Sequence, residues 1–351
     1  MKTKILLSGN EAIAQGAIDA GCQFYAGYPI TPQNELIAYM ALHMPQQGRV
    51  FIQAESELAA INMVFGASAA GARAMTSSSS PGVSLKQEGI SYIAGAELPA
   101  VIVNMMRGGP GLGNIWPAQS DYFQATRSGG HGDYHCVVLA PASVQEAYEL
   151  MFSAFNLADK YLMPVMILGD GMLGQMMEPL QLSAVSCQLS AKSKKPWALT
   201  GCQGREPNIA KSFRMLEGDL EKLNLKLQKK YQLIKAKEQC CESLFLDDAK
   251  IILVAYGSMA RIAKSVVNAL RSKGKKAGLI RPITLWPFPK NIFKQVAQKN
   301  KKAKILVVEM SYGQMLEDVK LSLEGKLAVD FLGRAGGGIP TEEEIIKQIY
   351  G

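Results

Sequence analysis

The sequence predicts an α/β protein in which two parallel-sheet domains are joined by a helical linker. Three observations carry that prediction. Over the first 180 residues, short apolar runs alternate with helical patterns, the mark of βαβ units and a mostly parallel sheet covered on both faces. Residues 181–249 break the rhythm with a Ser/Lys/Pro stretch (SAKSKKPW) and a lysine-rich amphipathic run. From 250 to 351 the alternation resumes. The expected bounds are 1–185 for the first domain, 186–248 for the linker and 249–351 for the second domain.

Taken in order, Gln23–Tyr28 reads as a strand and Gln33–His43 as a helix, then Val50–Gln53 as a strand and Ser56–Ser68 as a helix. Arg73–Thr76 is a short strand and Gly82–Ala94 a helix. Pro99–Met106 (PAVIVNMM) is apolar throughout, as a strand buried on both faces must be. Gln119–Thr126 and Val144–Lys160 read as helices, Cys136–Ala140 and Pro164–Leu168 as strands. In the linker, Met215, Leu216, Leu220, Leu223, Leu227, Tyr231 and Ile234 recur at three-and-four spacing within Pro207–Glu242. That predicts a helix lying along the protein. Strands follow at Lys250–Tyr256, Lys276–Ile280, Ile305–Glu309 and Leu327–Leu332. Helices follow at Met259–Lys273, Lys290–Gln298, Gln314–Leu323 and Thr341–Tyr350.

Apolar residues make up 48% of the 351 and charged residues 19%, which excludes global disorder. The net charge is +8, from 38 basic and 30 acidic residues. Much of the excess lies in 192–237 and 290–304, which reads as solvated faces and not as a nucleic-acid surface. No apolar stretch is long enough to span a bilayer, and Met1-Lys-Thr-Lys leads into no signal-peptide core. A cytoplasmic protein with neither membrane nor nucleic-acid partners is expected. Cys22, Cys136, Cys187, Cys202, Cys240 and Cys241 form no C-x-x-C, and there are three histidines. A disulfide framework, an iron–sulfur cluster held by this chain alone and a His-based metal centre are therefore all disfavoured.

Glycine clusters invite a phosphate-binding reading and fail it. Arg107–Gly113 (RGGPGLG) lacks the G-x-G-x-x-G order and is not followed by a helix start. Gly333–Gly338 (GRAGGG) precedes a helix but no βα unit follows, so a structural turn is expected. Leu168–Gly171 (LGDG) resembles the opening of the Mg-diphosphate motif of thiamine enzymes. The first asparagine after it is Asn208, too far along to complete the motif, so no metal site is expected on this chain. Thr76–Ser80 (TSSSS) before Pro81-Gly82 reads as a strand end whose hydroxyls cap a helix or meet a polar ligand.

Two segments are more specific: YPITP at Tyr28–Pro32 and QAESELAAINMVFGASAA at Gln53–Ala70. Together they resemble the thiamine-diphosphate-dependent 2-oxoacid:ferredoxin oxidoreductases, in the α-type subunit that carries the pyrimidine-binding domain. The resemblance continues through MTSSSSPGVSLKQEGISYIAGAELPAVIVNMMRGGPG, then YGS at Tyr256–Ser258, RPITLWPFP at Arg281–Pro289 and VVEMSYGQM at Val307–Met315. Ser311 departs from the asparagine common in the family. The 3-methyl-2-oxobutanoate (ketoisovalerate) enzymes look most similar, with 2-oxoglutarate and pyruvate members close.

This resemblance implies a first domain of the thiamine-diphosphate-binding fold and a second that is transketolase C-terminal-like. It implies oxidative decarboxylation of a 2-oxoacid to an acyl-CoA and CO2, with electrons passed to ferredoxin. Thiamine diphosphate would be shared with a β-type subunit. Mg2+ and iron–sulfur clusters would sit on partner subunits: the β-type, a γ-type and a ferredoxin-like one. The site would be complete only in the hetero-oligomer. A non-ferredoxin thiamine-dependent 2-oxoacid dehydrogenase subunit and a non-catalytic assembly subunit remain open as alternatives.

The same resemblance assigns residues. Thiamine needs a carboxyl hydrogen-bonded to its aminopyrimidine ring, and the family glutamate stands nine residues before a glycine. Glu57 stands nine before Gly66 and takes that role. Glu55 is the rival, and either acid could simply favour the first turn of a helix. Thr31 matches the threonine that touches substrate and cofactor, and Tyr28, Pro29 and Ile30 would line the cofactor. Arg107 matches the arginine that pairs with the substrate carboxylate, which a guanidinium holds through two parallel hydrogen bonds. Lys86 and Glu88 could line the same pocket or form a salt link along their helix. Asn104 and Gln119 are left without a role.

Overall fold

The computed structural model describes residues 4–182 and 195–351. Cys187, Ser190–Lys194 of the SAKSKKPW stretch and the expected boundary at 185/186 lie outside those residues.

The chain opens on β1 (Lys4–Ser8) and α1 (Gly9–Asp19). Ser8 and Glu11 form a reciprocal capping box that starts this helix. It packs against the helix Val144–Tyr161 so closely that a Cβ at Gly16 would lie 2.5 Å from Tyr148 O. Six parallel strands follow: β2 (Phe24–Gly27), β3 (Val50–Gln53), β4 (Ala74–Ser78), β5 (Ala100–Met106), β6 (Val137–Leu139) and β7 (Pro164–Asp170). Between them run α2 (Asn34–Gln46), α3 (Glu57–Ala69), α4 (Ser80–Gly95), α5 (Tyr122–Thr126) and α6 (Val144–Tyr161). Every residue of β5 and β7 is buried, as strands covered on both faces require. After α7 (Gly171–Gln175), β8 (Met177–Gln181) pairs antiparallel with β1.

The linker helix α8 (Asp219–Lys237) is shorter than the apolar spacing predicts. Gly218 adopts φ 72°, and Met215 and Leu216 before it are exposed. Leu223, Leu227, Tyr231 and Ile234 form the buried face. Tyr231 stacks edge-on against Trp286, so the helix does lie along the protein.

The second half forms a five-stranded sheet from β9 (Cys241–Leu244), β10 (Ile251–Val254), β11 (Ala277–Pro282), β13 (Lys304–Glu309) and β14 (Val329–Gly333). Its helices are α9 (Gly257–Ser272), α10 (Lys290–Lys299), α11 (Gln314–Leu323) and α12 (Glu342–Tyr350). One strand crosses over. β12 (Thr284–Trp286), from RPITLWPFP, pairs antiparallel with β6 and closes the first sheet, whose order is β12-β6-β7-β5-β4-β2-β3.

Polar contacts bind the halves. Gln119 donates to Tyr256 O at 2.9 Å and accepts from the Met310 N–H at 3.0 Å. Tyr122 donates to Asp318 at 2.7 Å, and Arg281 makes an ion pair of 2.8 Å with Glu146.

Candidate active site

The first sheet runs outward from β2 to β3, then returns to the other side of β2 for β4 and β5. Neighbouring connections therefore diverge between β2 and β4. That leaves a crevice outside the carboxyl ends of those strands, where open α/β sheets bind ligands. The sequence-predicted residues arrive there from four strands. β2 runs into Tyr28–Thr31, β3 into Glu55–Glu57, β4 into Ser78–Ser80 and β5 into Arg107.

Glu57 is the first residue of α3, which Ser56 caps by accepting the Ala59 N–H at 3.2 Å. It is 6% exposed, and its carboxyl makes no hydrogen bond among the described residues. The carboxyl lies against bare backbone. A Cβ added at Gly82 would stand 2.5 Å from Glu57 Oε1 and would collide with Ser78 Oγ. Glu55 is exposed in the loop before the helix. Burial thus separates two acids that the sequence places equally close to a helix start.

Arg107 is 7% exposed. Its guanidinium donates to Thr31 O and Leu112 O, both at 3.0 Å, so Thr31 and Arg107 meet. Arg107 Nε is buried with no partner. The Thr31 hydroxyl accepts from Asn34 at 3.2 Å. Tyr28 and Pro29 are exposed and Ile30 is half-buried. Lys86 is fully buried, with Nζ 3.4 Å from Glu57 O and 3.1 Å from Thr76 Oγ1. Glu88 is exposed and accepts from the Tyr92 hydroxyl, so Lys86 and Glu88 are not linked to each other.

Asn104 holds the start of α4: its Oδ1 accepts the Ser80 N–H at 3.1 Å. Asp121, which sequence reasoning passed over, accepts from Ser80 Oγ at 2.6 Å and from Asn104 Nδ2 at 2.9 Å. Burial raises its carboxyl pKa against those two hydrogen bonds. Ser78 and Ser79, also passed over individually, have buried hydroxyls without partners. The signal was the TSSSS run, which reads equally well as helix capping. The two glycine clusters meet each other: Asn114 of the RGGPGLG loop donates to Gly336 O at 2.9 Å. Asp170 of LGDG caps α7 through the Met172 and Leu173 N–H groups and accepts from Ser258 of the second half. Ser311 donates to Glu309 in the second half.

Buried polar groups without partners are rare in native proteins. Here the Ser78 and Ser79 hydroxyls and the Arg107 Nε are buried without partners among the described residues, at the carboxyl ends of β4 and β5, and Gly82 leaves room between the Ser78 hydroxyl and the Glu57 carboxyl. That donor and acceptor set fits the aminopyrimidine of thiamine diphosphate. No trio of His, Cys, Asp or Glu among the described residues is arranged to hold a metal ion.

Residues 15–222 match the family model described as pyruvate flavodoxin/ferredoxin oxidoreductase, thiamine diphosphate-binding. The chain belongs to this family. Residues 249–345 match core domain II of pyruvate:ferredoxin oxidoreductase. The chain is 48% identical to the ketoisovalerate oxidoreductase subunit VorB of Methanothermobacter marburgensis, over 98% of this chain and 96% of that protein. It is 42% identical to the 2-oxoglutarate synthase subunit KorA of Archaeoglobus fulgidus, over 90% of each. Among solved structures, 2-oxoglutarate:ferredoxin oxidoreductase from Magnetococcus marinus superposes with a TM-score of 0.86 at 27% identity. That match covers 99% of this chain, which spans 65% of the solved one. A split-gene transketolase matches at TM-score 0.59 and 13% identity over 98% of this chain and 97% of that one, a likeness of fold alone. The resemblance drawn from YPITP and QAESE, and the α/β fold class with it, are thereby confirmed.

Proposed function

We propose that this family member is the α-type subunit of a 2-oxoacid:ferredoxin oxidoreductase acting on a branched-chain 2-oxoacid, with 3-methyl-2-oxobutanoate the first substrate to try. The similarity to a ketoisovalerate oxidoreductase subunit over nearly the whole chain supports the substrate class. One observation carries the chemistry: Glu57 is a buried residue whose carboxyl makes no hydrogen bond among the described residues and lies against Gly82 at the carboxyl edge of the sheet.

When bound, thiamine diphosphate supplies the electron sink for decarboxylation. Glu57 would hold the proton exchanged with the pyrimidine ring, in a site dry enough for one hydrogen bond to bias the tautomer. Tyr28, Pro29 and Ile30 would line the ring. Arg107, already pinned to Thr31 O, has Nε free to take a substrate carboxylate, and the Thr31 hydroxyl lies beside it. Leu112, Ile115 and Trp116 stand exposed in the loop that follows Arg107, apolar surface that a partner subunit would cover. That partner would be the β-type subunit, bringing Mg2+ and the diphosphate site. The γ-type and ferredoxin-like iron–sulfur subunits, CoA and ferredoxin complete the cytoplasmic complex. No helix among the described residues is long and apolar enough to cross a membrane.

The test is oxoacid-dependent ferredoxin reduction by the co-purified complex, with 3-methyl-2-oxobutanoate, pyruvate and 2-oxoglutarate compared. Glu57→Ala should lower turnover about 10²–10⁴-fold, the range for a positioned acid or base. Near-normal turnover in that variant removes the assignment.

A further inference from the structure

α4 presents one face to the start of α3, and three residues on that face are in close register. Gly82 abuts the Glu57 carboxyl, Lys86 reaches the Glu57 carbonyl, and a Cβ at Gly89 would lie 2.5 Å from Ile61 Cγ2. These positions, i, i+4 and i+7, form one helical stripe. The two glycines let α4 approach, and the approach buries the lysine between them completely. Its ammonium has three donors and two acceptors, Glu57 O at 3.4 Å and Thr76 Oγ1 at 3.1 Å. Among the described residues no carboxylate lies within ion-pair distance of it. A buried charge with only neutral partners is costly and calls for an explanation.

The mechanism above uses only the carboxyl of Glu57. We propose that Lys86 is a positioning residue for that carboxyl: its ammonium pins the first carbonyl of α3 and so fixes where the Glu57 side chain leaves the helix to meet the pyrimidine ring. This rests on the assignment of Glu57 as the acid of the thiamine diphosphate site. Burial pulls the Lys86 pKa down to about 8, and Glu57 is the titratable group that opposes the fall. The other charged groups nearby face elsewhere. Glu55 is exposed, Glu88 turns to Tyr92, Arg107 binds Thr31 O and Leu112 O, and Asp121 binds Ser80 and Asn104.

The experiment measures thiamine diphosphate affinity in the co-purified complex, for the wild type, Lys86→Met and Lys86→Gln. A cofactor analogue with carbon in place of the pyrimidine ring nitrogen serves as the control. Thiamine diphosphate affinity should fall about tenfold in Lys86→Met and less in Lys86→Gln, because the Glu57 carbonyl loses its ammonium donor. The analogue should bind all three forms alike. Lys86→Gln keeps a weaker donor for the Glu57 carbonyl, so it carries the test if Lys86→Met does not assemble. Wild-type affinity in Lys86→Met, wild-type affinity in Lys86→Gln where only that variant assembles, or an equal loss with the analogue overturns the proposal. Glu57→Gln separates the two readings. If that variant retains wild-type affinity and activity, the assignment of Glu57 fails. If it abolishes both while the lysine variants behave as wild type, only the role of Lys86 fails.

Discussion

Glu57 and Glu55 are two residues apart and chemically almost the same, yet one is buried and the other exposed. A desolvated carboxyl without a partner is held at a cost that a bound ligand can offset. Replacing each by Gln should therefore give unequal results: Glu55→Gln retains oxoacid turnover, and Glu57→Gln loses it. Steady-state assays of the complex check this, and comparable losses in both would remove the distinction. Arg107 does two things at once. Through Nη1 and Nη2 it ties down Thr31 O and Leu112 O, while its Nε is buried without a partner among the described residues. Arg107→Met should raise the apparent KM for the oxoacid more than it lowers kcat. It should also cost about 1–3 kcal/mol of stability, because two part-buried hydrogen bonds from a charged group are lost. Unchanged kinetic constants would contradict a carboxylate-binding role.

α4 shows how an element sets a site through what it lacks. Gly82 and Gly89 both face α3, but they meet different neighbours there. At Gly82 an added methyl would press on Ser78 Oγ and the Glu57 carboxyl, so Gly82→Ala should abolish thiamine diphosphate binding while the fold persists. At Gly89 the methyl would meet Ile61, in packing away from the carboxyl. Gly89→Ala should cost about 1–3 kcal/mol by overpacking, with cofactor binding retained at temperatures where the chain is folded. Cofactor titration together with thermal melting distinguishes the pair. Equal loss of cofactor binding in both would show that helix spacing matters and the individual contacts do not. Gly66, the residue used to count back to Glu57, would meet nothing on gaining a Cβ. Its usefulness as a sequence landmark thus has no counterpart in packing within this chain.

At the scale of the whole molecule, the two sheets are joined by buried polar contacts, and Asp170 is one of them. Its carboxyl caps α7 and accepts from Ser258 across the junction, and burial raises its pKa. A raised carboxyl pKa means that the folded chain binds this proton more tightly than the unfolded chain does. Its contribution is therefore fully present below the ordinary aspartate pKa and is lost as pH rises through the raised value. Asn does not titrate and still caps a helix. Asp170→Asn should gain in melting temperature relative to wild type as pH rises from 4 to 8, whereas Asp170→Ala should lose about 1–3 kcal/mol with the cap and the junction contact. Melting curves at several pH values check the sign, and a difference that shrinks with rising pH would refute it.

Local periodicity determined much of this protein. PAVIVNMM could only be a strand covered on both faces, and the βαβ alternation, the linker helix and the YPITP and QAESE segments were all readable along the chain. Each of these rests on residues within one or two turns of one another, where spacing and side-chain type are sufficient. β1 and α1 escaped notice because KILLS is short and half-exposed, and because the α1 helix is built of small residues with weak amphipathicity. Other features depended on distant segments coming together. The crossing of β12 into the first sheet, the meeting of Thr31 with Arg107, and the burial of Glu57 but not of Glu55 were decided by tertiary packing. So was the burial of Lys86 between two glycines. Whether a charge is buried, and beside what, depends on elements tens of residues away, and no local pattern records that.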